Sequence, residues 1–278
     1  MRLFKEYLHR LYPYQLLRLL LSSRHPRQLH QPSTTVSTSP RQLDKLLLTM
    51  LEHLHNQPQG RSHPQPPSPL SALLGFDLLV QTSHIPQAGR GVFLKGHAKK
   101  GSIVAIYPGL ILDPWEPKLI PSLANRYALR MTDGTVIDGK ATGISGWSYR
   151  SIVRRDRIGP YSIADMTWMD LARHAPPYLQ APRNPLAVGQ LINNAISPKE
   201  ANVTYHEHTL PPSTPISHRQ FLPNIRSSGV REGDFSMVHP PCPSGPRPGL
   251  PLVLLIATRD LHNEELYSTY MEPITFPL

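Results

Sequence analysis

Beyond about residue 72 the chain never keeps one pattern for long. Short apolar or alternating runs, GVFLKG, GSIVAIYPGLIL, RYALRMTDGTVIDG and LVLLIATRDL, are each cut off by Gly, Pro or Asp-Gly. Runs of this length and texture read as strands. MTDGTV is a hairpin signal, because Asp-Gly accepts the positive φ values that a tight turn between strands demands. Two longer stretches break the series. Residues 140–187 read as an irregular insertion with a short helix in RDRIGPYSIADMTWMDLARHA, and 208–250 as a long loop rich in Pro, Gly and Ser. There is no internal repeat. The expected class is therefore α+β: a β-rich core with two large insertions, preceded by helices.

The first 71 residues differ. LFKEYLHRLYPYQLLRLLL carries apolar residues at helical spacing, broken at Pro13. Pro40 to His55 is a second helical segment, with Leu43, Leu46, Leu47, Met50, Leu51 and Leu54 on one stripe. HQPSTTVSTSP lies between them. NQPQGRSHPQPPSPLS follows and sets the expected boundary between a helical and linker segment, 1–71, and a domain over 72–272, with a tail at 273–278. The net charge of +10 is uneven. Residues 1–70 hold nine Lys/Arg against three Asp/Glu, and the remainder twenty against sixteen. Most of the basicity thus belongs to the N-terminal flank, which limits nucleic acid to weak contacts with a basic tail. That flank is rich in Arg and Leu and has only Glu6 as an acid in its first thirty residues. It reads equally as a mitochondrial presequence or an amphipathic docking helix; otherwise the expected location is intracellular, in nucleus or cytoplasm. No stretch approaches the ~20 apolar residues needed to span a bilayer. The single cysteine, Cys242, excludes an internal disulfide and a thiolate zinc site, and its Pro-rich surroundings make it a plain loop thiol.

Four segments carry candidate chemistry. AGRGVF places two glycines around Arg90; such a pair ordinarily marks a turn or bulge, and also lets backbone N–H groups approach a ligand. GSIVAIYPG starts a strand at Gly101 and ends it at Tyr107-Pro108-Gly109. VGQLINNAISPKEANVTYHEH stops an apolar run at two adjacent asparagines, residues that are poor in strands and costly to bury unpaired. RDLHNEELYSTY follows two glutamates with tyrosines. His206 and His208 alternate along one strand and share a face, without a third ligand at good spacing.

In this order, with TVIDGKATG between them, the four segments resemble the SET-domain family of protein lysine methyltransferases over about residues 72–272. The resemblance implies several small curved sheets with a knot-like C-terminal segment, S-adenosylmethionine as cofactor, and a protein substrate bearing an exposed lysine. It implies cofactor contacts from Gly89, Arg90, Gly91, Val92, Phe93, Gln190, Asn193, Asn194 and Tyr270. Asn193 takes the place of the residue that meets the cofactor's amino group; an amide oxygen accepts from an ammonium without adding charge beside a sulfonium. Tyr270 matches the closing tyrosine and is the expected catalytic residue, with Tyr127 and Tyr267 as channel residues. The chain departs from the family at three points. Asn194 stands in place of His, Ala195 and Ile196 follow where the pattern has Ser-Cys, and Thr269 stands in place of Asp. Without that cysteine no metal is expected. The departures also motivate a second reading, a SET-like binding module with weak or no catalysis.

Overall fold

The computed structural model describes residues 39–57, 67–114, 116, 125–156, 162–172, 182–228 and 249–269. The first helical segment, Cys242 and Tyr270 lie outside the described residues. Helix α1 (Pro40–Asn56) starts where the sequence provides a cap: Gln42 N–H donates to Ser39 Oγ, and Ser39 N–H donates back to Gln42 Oε1 at 3.0 Å. Pro40 at its first turn needs no backbone donor. Its stripe, Leu43, Leu47, Met50, Leu51 and Leu54, is buried in the same core as the strands. Each such side chain contributes about 1.5–3 kcal/mol by leaving water, before ordering costs. His208 Nε2 lies 2.9 Å from Asp44 Oδ1, tying the helix to a core strand.

A single helical turn, α2 (Ser71–Leu74), leads into the strands: β1 (Phe76–Thr82), β2 (Arg90–Ala98), β3 (Ile103–Ile106), β4 (Gly109–Leu112), β5 (Ala128–Arg130) and β6 (Val136–Asp138). Helix α3 (Gly143–Arg155) follows, then β7 (Asn193–Asn194), β8 (Val203–Leu210), helical turn α4 (Ile216–Arg219), β9 (Asn224–Arg226), β10 (Leu250–Ala257), β11 (Leu261–His262) and β12 (Tyr267–Ser268). They form four small sheets, in the orders β1-β2-β11, β3-β10-β8, β12-β7 and β5-β6-β4-β9. This is the β-rich α+β class expected from the interrupted sequence. The Asp-Gly turn joins β5 to β6 as an antiparallel hairpin, with Gly134 at φ +88° and Met131 N–H donating to Thr135 O.

Two stretches carry more structure than their sequence suggested. Within 140–187, α3 runs for 13 residues and a 3-10 turn spans Thr167–Ala172. Within 208–250, α4 and β9 form, and β9 adds a parallel edge to β4. A second core sits between α3 and this sheet, with Trp168 buried in a T-shaped contact with Tyr149 at 5.2 Å.

The C-terminal strand is threaded through the chain that precedes it. β12 runs parallel to β7, Tyr267 opposite Asn193 and Ser268 opposite Asn194, and Ala195 N–H donates to Ser268 O. On the other edge, Tyr267 N–H donates to Asn202 Oδ1 at 2.7 Å and Asn202 N–H donates to Tyr267 O at 2.9 Å. Residues 193–202 thus pass along one edge of β12 and return along the other, the knot-like arrangement that the resemblance implies.

Candidate functional site

The site is assembled by three segments far apart in sequence. The first is the β1–β2 connection. Gly89 adopts φ +80°, a conformation that glycine reaches without strain, and its carbonyl accepts from Ser83 N–H. Gly91 is a glycine for another reason. A Cβ there would collide with Glu265 Oε1, and would lie 2.9 Å from Glu265 Cδ and 3.3 Å from Asn193 Nδ2. The second segment is the 3-10 turn Gly189–Leu191 with β7, and the third is Glu264 to Ser268.

Glu265 is the hub where they meet. It is 2% exposed and lies across a β-bridge from Phe93. Ser83 Oγ donates to its Oε1 at 2.6 Å; His84 N–H and Tyr267 OH donate to Oε2 at 2.8 and 2.7 Å. Burial pushes its pKa up, but the hydrogen bonds, led by those from Ser83, His84 and Tyr267, outweigh burial and hold it below its ordinary value. The carboxylate is therefore ionised. Burial, followed by the bond to Glu265, holds the Tyr267 phenol well above the usual range, so Tyr267 is a neutral donor.

Asn193 bridges the other two segments. Its Nδ2 donates to Arg90 O at 3.0 Å, while β12 lies beside its backbone. Among the described residues no donor pairs with its Oδ1. Gln190, buried on the preceding turn, likewise has an Oε1 with no partner among the described residues. Arg90 and Phe93 are half-buried. Val92 is buried in the core, and its carbonyl accepts from Leu266 N–H. Asn194 is exposed, in register with Ser268. Tyr270 lies outside the described residues, but the chain two residues before it is paired with Asn194.

A row of hydroxyls and rings joins Ser268, the neighbour of Tyr267, to the backbone of Tyr127. Tyr205 OH lies 3.2 Å from Ser268 Oγ, the Tyr205 and Tyr107 rings meet edge-on at 6.4 Å, and Tyr107 OH donates to Tyr127 O at 2.9 Å. Tyr127 itself is 40% exposed, while Tyr107 is buried. The sequence shows the two glutamates only as an acidic pair before tyrosines, and does not single out Glu265, Ser83, Asn202 or Tyr205. Among the described residues no group of three His, Cys, Asp or Glu converges as a metal site.

The depressed pKa of Glu265 fixes the sign of its pH effect. Its contribution to stability is present above the ordinary glutamate value of 4.5 and is lost as pH falls through the lower folded value. Glu265→Gln leaves three donors facing an amide in place of a carboxylate and is expected to cost about 2 kcal/mol at neutral pH. Chemical denaturation of both proteins from pH 7 to pH 3 should show the gap narrowing in acid; a gap independent of pH contradicts an ionised hub.

No family model matches the chain. The small sheets, the threaded C-terminal strand and the convergence of the Gly89–Gly91, Asn193 and Glu265 segments define a SET-type domain. Over 219 residues the chain is 39% identical to SET domain-containing protein 9 of Pongo abelii, covering 78% of this chain and 71% of that one. It is 38% identical to SET domain-containing protein 9 of Homo sapiens over the same length, covering 65% of the human protein, just under two thirds. The chain belongs to the SET-domain family.

Proposed function

We propose that this protein transfers methyl groups from S-adenosylmethionine to lysine side chains of a protein substrate. The observation that carries this reading is the pairing of β12 with β7, which brings Asn193, Tyr267 and Glu265 together over Gly91. The donor set fits a cationic cofactor. Gln190 Oε1 is buried with no partner among the described residues, and Asn193 commits its Nδ2 to Arg90 O, leaving its Oδ1 for a ligand. Glu265 is ionised beside Asn193, so the local field there favours an ammonium and a sulfonium.

Bound there, S-adenosylmethionine supplies an activated methyl group on positively charged sulfur. Asn193 holds the cofactor's amino end through Oδ1 while Nδ2 stays on Arg90 O, so one side chain fixes both ligand and turn. The backbone of Gly89, Arg90, Gly91 and Phe93 lines the same end, and Asn194 lies next to Asn193 on β7. A free lysine has a pKa of about 10.4 and no lone pair as ammonium. A channel lined by tyrosines, Tyr127 and Tyr267 among them, would disfavour charge by desolvation and so favour the neutral amine. By the family pattern Tyr270 is the catalytic tyrosine. Labelled methyl transfer to a protein extract tests the reading. The wild-type chain is expected to label lysine, and Tyr270→Phe to lose at least tenfold while melting normally. Full activity in Tyr270→Phe removes that residue from the site, and an unlabelled extract contradicts transferase function. The substitutions at Asn194 and Thr269 support a second reading, cofactor binding without turnover, whose signature is heat on titration of S-adenosylmethionine with no label transferred.

A further inference from the structure

Six large apolar side chains are more than a third exposed among the described residues, and two of them lie on α3. Ile144 is 61% and Trp147 68% exposed. Tryptophan carries so much apolar area that leaving most of it in water on a helix is costly unless something covers it.

Of the exposed residues of α3, Ile144, Trp147, Ser151 and Arg154 recur at spacings of three, four and three and so form one seam along the helix. The opposite face, Ser145, Gly146, Tyr149 and Val153, is buried against the domain. The seam is graded: apolar at Ile144 and Trp147 and cationic at its far end, where Arg154 is exposed; half-buried Arg150 turns to Met169, donating to its Sδ at 3.9 Å. Arg155 is held by Asp156, with bonds of 2.5 and 2.8 Å, so its charge is answered locally. Arg154 has no acidic partner among the described residues. The remaining charge therefore calls for carboxylates on whatever covers the apolar end. The basic N-terminal flank has the wrong sign to serve.

We infer that the outer face of α3 docks an acidic amphipathic helix of a partner protein, with a leucine-type side chain against Ile144 and Trp147 and carboxylates opposite Arg154. The docking does not rest on the lysine-methylation reading.

Calorimetry with the full chain tests it without cofactor or turnover. The probe is a synthetic 15-residue helical peptide with leucines at seam spacing in one half and glutamates in the other; the control has lysines in place of the glutamates. The glutamate peptide is expected to bind at least tenfold more tightly than the lysine peptide, and to weaken as salt is raised. Trp147→Ala should weaken it at least tenfold, and Arg154→Glu should reverse the preference between the two peptides. Both residues are exposed, and circular dichroism confirms that the variants fold. Equal binding of the two peptides, no binding, or unaltered binding by Trp147→Ala overturns the inference. Any of these leaves methyl transfer standing, just as an inactive enzyme that still prefers the glutamate peptide leaves the docking face standing.

Discussion

Gly91→Ala should destabilise the protein by about 3 kcal/mol and abolish cofactor binding, although it adds one methyl group. The new carbon would overlap Glu265 Oε1 and press on Asn193 Nδ2. Neither neighbour can yield cheaply. Glu265 is held by Ser83, the His84 amide and Tyr267, and Asn193 by Arg90 O. Overpacking of this kind costs about 1–3 kcal/mol, and a displaced carboxylate that loses hydrogen bonds adds to it. For a domain of this size that corresponds to a fall of roughly 6–12 °C in Tm. Gly89→Ala is the internal control. A Cβ at residue 89 meets nothing within 4 Å, so only the backbone strain of φ +80° is incurred, about 1–2 kcal/mol. Equal effects of the two substitutions in a thermal melt would show that Gly91 is not the packing point between the three segments.

Trp168→Ala should cost about 3–5 kcal/mol, the usual range for removing a buried large aromatic. Trp168 is 0% exposed and stacks edge-on against Tyr149, whose hydroxyl donates to Asp165 O at 2.7 Å. This second core seats α3 on the sheet of β4, β6 and β9. The loss should therefore reach the exposed seam of α3 as well as global stability. Urea titration measures it, and a loss under 1 kcal/mol would mean that α3 is not anchored through this residue.

Much of this architecture is legible in the residues. The stripe of α1 is buried at Leu43, Leu47, Met50, Leu51 and Leu54, with Leu46 half-buried, because helical periodicity reports directly on which side chains leave water. The Asp-Gly turn between β5 and β6 is local chemistry and forms as expected. Helix α3 is different. Its sequence, GISGWSYRSIVRR, is full of Gly, Ser and β-branched residues that weaken an isolated helix, so tertiary packing against Trp168 and Met169 decides its form. β9 is three residues in a Pro-rich region and exists only because β4 offers an edge. The alternating His206 and His208 suggested a shared face; the partner of His208, Asp44, comes from 164 residues away and has no local signal. The same holds for Glu265. Its sequence shows an acidic pair, whereas its role depends on donors from Ser83 and His84, more than 180 residues earlier.

The central claim is that Asn193, the Gly89–Gly91 turn and the Glu265 segment together grip S-adenosylmethionine. Isothermal titration of the wild-type chain and Asn193→Ala with this cofactor tests it most directly. A side-chain hydrogen bond to a charged group is worth about 1.5–3 kcal/mol, so the variant should bind at least tenfold more weakly. Its melting temperature should fall little beyond the loss of one bond to Arg90. Saturable binding by the wild type with that weakening is the predicted result; no heat from the wild type, or equal affinity in the two proteins, would contradict the account.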